Sequence, residues 1–336
     1  MVNDLLFSVI GFLICAGIIF LAGKRLTHYG EMLSELTGMG KAWMGLVLMA
    51  SVTSLPELMV GISSVSVVKS PDLALGDVLG SCAANLAILS LMDVFTPKDH
   101  PLFSGISQSH ILAGTFGIIL VTLTGFGLVL PKDIVLSPFI GLTSLSLAVI
   151  YFGSMRIIYE YQKAHPSLIQ ANTETHPTLT LKQTVLRYAL FALIIITVSL
   201  ALPYFADTIA EKSGLAKSFT GALFLAVSTS LPEIAVSIAA VRGGTADLAV
   251  GNLMGSNIFN VFILFIDDLF YQKGHLLKDA NDSHLISILF VILMTAVAIV
   301  GFIFPSRKKT IWMAWDTFII FLLYVLNMVI LFYISK

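Results

Sequence analysis

Charged residues are scarce in this 336-residue chain: Asp, Glu, Lys and Arg make up 12% of it, about half the share found in soluble domains. Cysteine is scarcer still. The two present, Cys15 and Cys82, lie inside apolar stretches, which excludes a disulfide framework and a thiolate metal site. There is no basic arm and no aromatic-basic stripe, and the net charge is −1, so nothing in the chain suits nucleic acid. The first apolar stretch has Asn3 and Asp4 before it instead of basic residues, and no small-residue cleavage site follows. It reads as a retained helix and not as a signal peptide. What fills the sequence is hydrophobic side chains, 57% of the total, with a mean hydropathy of +0.93.

These side chains fall into ten runs, each near the roughly 20 residues that cross a bilayer. The runs cover about 5–23, 42–68, 72–95, 109–130, 134–158, 183–206, 216–241, 246–270, 284–304 and 311–334. The fold expected is an all-α integral membrane protein of ten transmembrane helices. Residues 1–158 form a first five-helix repeat, 159–181 a polar connector, and 182–336 a second, inverted five-helix repeat. An N-terminus outside the cell places Lys24, Arg25, Lys41, Lys98, Arg156, Lys163, Lys182, Arg187, Arg242, Arg307, Lys308 and Lys309 in the cytoplasm. That is 12 of the 19 Lys and Arg residues. The cluster at 307–309 reads most simply as a topology anchor. All seven His lie in loops or at span ends, which argues against an intramembrane histidine relay.

The two halves repeat. Thr53-Ser54-Leu55-Pro56-Glu57 recurs as Thr229-Ser230-Leu231-Pro232-Glu233, 176 residues later. At an offset of 175, Asp72-Leu73-Ala74, Gly76, Gly80-Ser81, Asn85 and Ile88-Leu89 match Asp247-Leu248-Ala249, Gly251, Gly255-Ser256, Asn260 and Ile263-Leu264. Five spans separate the copies, an odd number, so they run in opposite directions through the membrane. Inverted repeats with interrupted helices are a transporter signature, with the site near the midplane.

The repeated residues carry chemistry. Glu57 and Glu233 sit halfway through their spans, where an ionised group costs several kcal/mol unless compensated. Thr53, Ser54 and Glu57 share a helix face, as do Thr229, Ser230 and Glu233, and all six bear side-chain oxygens. Pro56 and Pro232 cannot donate to the carbonyls of Val52 and Ser228, and carbonyls freed at membrane depth suit an ion-filled cavity. Ser81 and Asn85, or Ser256 and Asn260, follow at i and i+4. Gly76-x-x-x-Gly80 and Gly251-x-x-x-Gly255 let helices approach closely. Two carboxylates, two amides and six hydroxyls suit a hard cation such as Ca²⁺ or Na⁺. A lone Ser/Thr/Pro group in a membrane helix is usually a kink or a packing contact. Five residues repeated in register are not explained that way.

These motifs resemble the cation/Ca²⁺ exchanger superfamily, and within it the sodium/calcium exchangers, whose two alpha-repeats read G-T-S-x-P-E followed by G-N-x-x-G-S-N-x-x-N. The resemblance covers nearly the whole chain. It implies central ion ligands at Glu57, Asn85, Glu233 and Asn260. Flanking ligands are implied at Thr53, Ser54, Ser81, Thr229, Ser230 and Ser256, and at the carbonyls of Ala50 and Ala226. The implied function is a secondary active antiporter exchanging Ca²⁺ for Na⁺ by alternating access, as a gate bundle slides over a fixed core. No cofactor is implied, since Ca²⁺, Na⁺ and possibly H⁺ bind as cargo. The partners are the bilayer and the transported cations, with no obligate protein partner, and the expected home is a prokaryotic cytoplasmic membrane.

Three positions depart from the family pattern. The Gly before Thr is Val52 and Ser228, the Asn after the first glycine is Asp77 in repeat one against Asn252, and Cys82 stands opposite Asn257. Asp77 falls on the face of Ser81 and Asn85. It is either a third carboxylate at the site or a packing Asp near a helix start. Cys82 points about a quarter-turn away and is expected to pack. Asp72 and Asp247 stand where N-caps belong, with attraction of cations into a vestibule as the alternative. Proton/calcium exchangers usually carry G-N-x-x-E in place of T-S-x-P-E, which favours sodium, with H⁺/Ca²⁺ (or other cation) antiport as the alternative. A remote alternative, an intramembrane hydrolase using Asp77, lacks a second catalytic Asp: the matching position is Asn252, and no H-E-x-x-H or G-x-S-x-G occurs. The chain is not expected to be an enzyme.

Overall fold

The structure, a computed structural model, describes residues 2–37, 50–130, 135–137, 140–164, 179–242, 246–309 and 312–334. Helix α1 (Val2–Thr37) runs well past the apolar stretch that opens the chain. A broken helix follows, α2 (Ala50–Thr53) and α3 (Leu55–Ser66), with Ser54 between them. Residues 42–49, the start of the second expected span, lie outside the described residues. Then come α4 (Pro71–Val94) and α5 (Ser109–Val129). The next run opens as a small antiparallel hairpin, β1 (Val135–Ser137) and β2 (Ile140–Gly141), before α6 (Leu142–Ala164). Most of the expected connector, residues 165–178, is outside the described part of the chain.

In the second half, α7 (Leu181–Ser199) starts at a capping box in which Thr180 and Gln183 satisfy each other's backbone N–H. The single span expected at 183–206 is present and runs on to Ser213, with a turn at Leu200-Ala201. Pro203 cannot continue a helix from below but is tolerated in the first turn of a new one, α8 (Leu202–Ser213). The second broken helix is α9 (Lys217–Thr220), a π-helical segment (Gly221–Leu225) and α10 (Ala226–Thr229), then Ser230, then α11 (Leu231–Arg242). Its two arms are bent by 44°. The chain closes with α12 (Ala246–Phe270), a short α13 (Leu276–Asp279), α14 (His284–Ile303) and α15 (Trp315–Ile334).

Eight helical segments among the described residues are long and apolar enough to cross a membrane, and the bent pair makes nine. Leu55–Ser66 is a shorter apolar helix where the remaining expected span ends. Burial orders them. The apolar window of α4 is 94% buried and that of α12 is 83% buried, against 17% for Leu181–Ser213. So α4 and α12 are the centre, and the outer helices turn Phe7, Leu13, Leu186, Leu193, Phe318 and Leu322 outward, as lipid-facing surfaces do. One large apolar cluster joins α4, α5, α6, α12, α14 and α15 through residues such as Leu79, Leu86, Leu253, Val261 and Met294. Helices α1, α7 and α8 are absent from it. They meet the rest through smaller clusters, one around Phe12, Ile19, Val60, Leu202 and Ala206, another around Ala22, Leu26, Val52 and Ile195.

Glycine sets the closest approach. A Cβ on Gly80 would lie 2.5 Å from the Ala222 carbonyl oxygen, and one on Gly76 would lie 2.8 Å from that of Ser218. The Gly-x-x-x-Gly pair therefore lets α4 lie directly on the backbone of the second broken helix.

Candidate cation site

Both breaks fall at the serine of Thr-Ser-Leu-Pro-Glu. Ser54 (φ −89°, ψ 12°) and Ser230 (φ −81°, ψ 7°) adopt nearly the same non-helical conformation. Each proline then occupies the first turn of the following arm, where its missing N–H costs nothing. The break has two electrostatic consequences. The arm that ends offers carbonyl oxygens, which favour a cation, and the arm that begins places Glu57 or Glu233 in its first turn, where backbone N–H groups favour an anion.

The side chains meet in reciprocal pairs. The Ser54 hydroxyl donates to Glu233 Oε1 at 3.5 Å, and the Ser230 hydroxyl donates to Glu57 Oε1 at 3.4 Å. Thr53 lies 3.3 Å from Ser256, and Thr229 lies 3.3 Å from Ser81, oxygen to oxygen. Each contact joins one repeat to the other, and each has a counterpart at the same place in the repeat. All eight side chains are buried. The carbonyl of Ala50 accepts from Ser54 N–H (3.0 Å) and the Thr53 hydroxyl (3.3 Å), while that of Ala226 accepts from Ser230 N–H (3.0 Å) and the Thr229 hydroxyl (3.2 Å). Rotation of a threonine hydroxyl would free a lone pair on the one carbonyl it engages.

Several polar atoms here have no protein partner although they are fully enclosed: Glu57 Oε2, Glu233 Oε2, Asp77 Oδ2, Asn85 Oδ1 and both side-chain heteroatoms of Asn260. Unpartnered buried polar atoms are costly, which makes these residues candidates for holding a ligand. The atoms are oxygens almost throughout, as a hard cation requires. Among the described residues no group of three or more His, Cys, Asp or Glu has the arrangement of a metal centre.

Of the asymmetric positions, Asp77 is buried and its Oδ1 accepts from the Thr229 hydroxyl at 3.2 Å. Cys82 does more than pack. Its carbonyl accepts from Asn257 Nδ2 at 3.2 Å, while Asn257 Oδ1 takes a hydrogen bond from Asn85 Nδ2 at 3.0 Å. Asn257 thus orients Asn85, a role visible beforehand only as a difference between the two copies.

Asp72 and Asp247 are not N-caps. Ser70 precedes α4, and Asp72 lies inside its first turn. Its Oδ1 accepts from Asn281 N–H (2.7 Å) and pairs with His284 Nε2 (3.2 Å). Asp247 Oδ1 accepts from Ser107 N–H (2.7 Å) and pairs with His110 Nε2 (2.9 Å). These are two cross-repeat clasps, each joining the start of a central helix to the start of the other half's α5 or α14. Lys309 is likewise more than an anchor. It is buried, donates to the carbonyls of Asp93 and Thr96, and lies 3.5 Å from the Asp93 carboxylate. The offset of 174–175 residues that relates Asp93 to Asp268 and His110 to His284 was the available signal.

A model of the family described as sodium/calcium exchanger protein matches residues 7–155 and again 184–333, one stretch in each half. The chain belongs to that family. As a member it is a multi-pass membrane transporter, a cation/Ca²⁺ exchanger and not an enzyme. The inner membrane protein YrbG of Escherichia coli is 29% identical over 295 residues, covering 81% of this chain and 84% of YrbG. The sodium/calcium exchanger MaX1 of Methanosarcina acetivorans is 37% identical over 127 residues, 37% of this chain and 34% of MaX1. The solved sodium-calcium exchanger NCX_Mj superposes with a TM-score of 0.62 at 20% identity, over 97% of this exchanger and 99% of NCX_Mj, a likeness of fold.

Proposed function

We propose that this exchanger carries Ca²⁺ one way and Na⁺ the other across a prokaryotic cytoplasmic membrane, with its N-terminus outside. The reciprocal pairing of Ser54 with Glu233 and of Ser230 with Glu57 carries this reading. It brings the two carboxylates that match one divalent charge to a single point between the repeats. Glu57, Glu233, Asn85 and Asn260 are the central ligands. Thr53, Ser54, Ser81, Thr229, Ser230 and Ser256 and the carbonyls of Ala50 and Ala226 flank them, with Asp77 as a third carboxylate. Sodium is favoured by the Thr-Ser-Leu-Pro-Glu motif and by the name of the relative MaX1. Helices α1, α7 and α8, which share little of the main core, are the sliding bundle that opens the site alternately to each side.

Asp77 favours a second reading. A third negative charge beside Thr229 exceeds what one Ca²⁺ neutralises and would accommodate H⁺ as the coupling ion. Radiolabelled Ca²⁺ uptake into proteoliposomes separates the two. Uptake driven by an outward Na⁺ gradient at equal pH is the expected result. Uptake that follows a pH gradient and ignores internal Na⁺ would overturn the sodium assignment.

A further inference from the structure

The duplication pairs six of the carboxylates, and Asp267 is among those it leaves without a counterpart. Glu57 answers Glu233, and Asp72 answers Asp247. Asp93 answers Asp268: Asp93 takes the N–H groups of Leu102 and Ala314 at 2.7 Å each, and Asp268 takes those of Leu276 (2.7 Å) and Gly141 (3.2 Å). Asp267 answers Met92, and nothing in the architecture of the repeat requires it. It is 0% exposed, and neither carboxylate oxygen has a hydrogen-bond partner.

Its surroundings are shaped for it. A Cβ on Gly61 of α3 would lie 2.5 Å from both Asp267 oxygens, so only glycine leaves room for this carboxylate. The matching residue in the second repeat is Ser237. Ser64, one turn beyond Gly61 on the same face of α3, has a fully buried hydroxyl that also lacks a partner. Asp267 follows Asn260 by seven residues on α12, and Ser64 follows Glu57 by seven on α3. Seven residues are two helical turns, so both lie on the faces that carry the central site, about 10 Å further along the α3–α12 seam. A carboxylate enclosed there without a partner is neutralised either by a proton or by a bound cation.

We infer that Asp267 and Ser64 form an accessory binding position for one monovalent metal cation, Na⁺ in the exchange proposed above, at the end of this seam. One carboxylate and one hydroxyl are hard donors, and their single negative charge matches a single positive one. The position lies two helical turns from the central site along the same seam and would be filled in the Na⁺-loaded protein.

The test is equilibrium binding of radiolabelled Na⁺ to the purified full chain in detergent, alongside displacement of bound Ca²⁺ by Na⁺. Asp267→Asn should bind about one Na⁺ fewer per chain and lower the Hill coefficient for displacement by about one. Its Ca²⁺ affinity in Na⁺-free buffer should stay within about twofold of wild type. Ser64→Ala, a small change that tests the position even if Asp267→Asn fails to fold, should weaken Na⁺ about threefold or more. Na⁺ stoichiometry and displacement curves unchanged in these variants would overturn the inference. So would an Asp267→Asn effect confined to the pH dependence of Ca²⁺ binding, which would make Asp267 a proton carrier. The two readings fail separately. An Asp267-dependent Na⁺ site in a protein whose Ca²⁺ uptake ignores Na⁺ would sink only the sodium coupling. Sodium-driven uptake with Asp267→Asn equal to wild type in Na⁺ binding would sink only the accessory site.

Discussion

Glu57 and Glu233 are each met by a serine of the opposite repeat. Glu57→Gln and Glu233→Gln keep the shape but each removes one of the charges proposed to face the cation. Each is expected to lower the initial rate of Ca²⁺ uptake in proteoliposomes by about 100-fold or more, with size-exclusion profiles unchanged. Asp77→Asn has a gentler outcome because it recreates the residue of the matching position, Asn252. Ca²⁺ half-saturation should rise on the order of tenfold, near 1.4 kcal/mol, with maximal rate changed much less. A tenfold loss of maximal rate at unchanged half-saturation would count against Asp77 as a ligand. At this scale the sequence was most readable where a motif occurred twice. Thr53, Ser54, Ser81 and their partners are found together as their repetition implied. Asp72 and Asp247 were misread as caps because position within a helix was visible and the partner across the molecule was not. Asn281 and Ser107 supply the N–H groups, and each belongs to the other half of the chain.

Whole helices follow hydropathy closely, and their interruptions less so. The apolar runs predicted α4, α5, α12 and α14 nearly to their ends, since a bilayer demands a continuous hydrogen-bonded helix. The breaks at Ser54 and Ser230 were foreshadowed by the prolines two residues on. The turn before α8 was not, because Leu181–Ser213 is apolar enough to count as one span. The π-helical turn at Gly221–Leu225 has no sequence signature either. It is the segment on which Gly76 and Gly80 rest, and its form is a response to packing. Gly80→Ala would press a methyl to within 2.5 Å of the Ala222 carbonyl oxygen. It should cost about 1–3 kcal/mol, read as a lowered thermal unfolding midpoint in detergent. Gly117→Ala, where a Cβ would meet nothing within 4 Å, is the matched control and should leave that midpoint unchanged or slightly raised.

For the molecule as a whole, the inverted repeat is both the origin of the site and the means of holding it. The clasps Asp72–His284 and Asp247–His110 lie at opposite ends of the antiparallel pair α4 and α12 and share no residue. His110→Ala and His284→Ala should each cost about 1–3 kcal/mol of stability, and the double variant should equal their sum within about 0.5 kcal/mol. Strong non-additivity would mean that the two ends communicate through the central helices. Inversion was deducible from an odd number of intervening spans. The separation of α1, α7 and α8 from the main core was not, because it depends on which apolar faces meet and not on how apolar they are.

The clasps also bear on how the chain is made. Asp72 leaves the ribosome 212 residues ahead of His284, and Ser54 leaves 179 residues ahead of Glu233. The first half therefore enters the bilayer with Glu57, Asp77 and the start of α4 lacking the partners that will enclose them. An inserted first half is consequently an assembly intermediate with polar groups exposed to lipid, and a natural substrate for membrane quality control until the second half arrives to cover it.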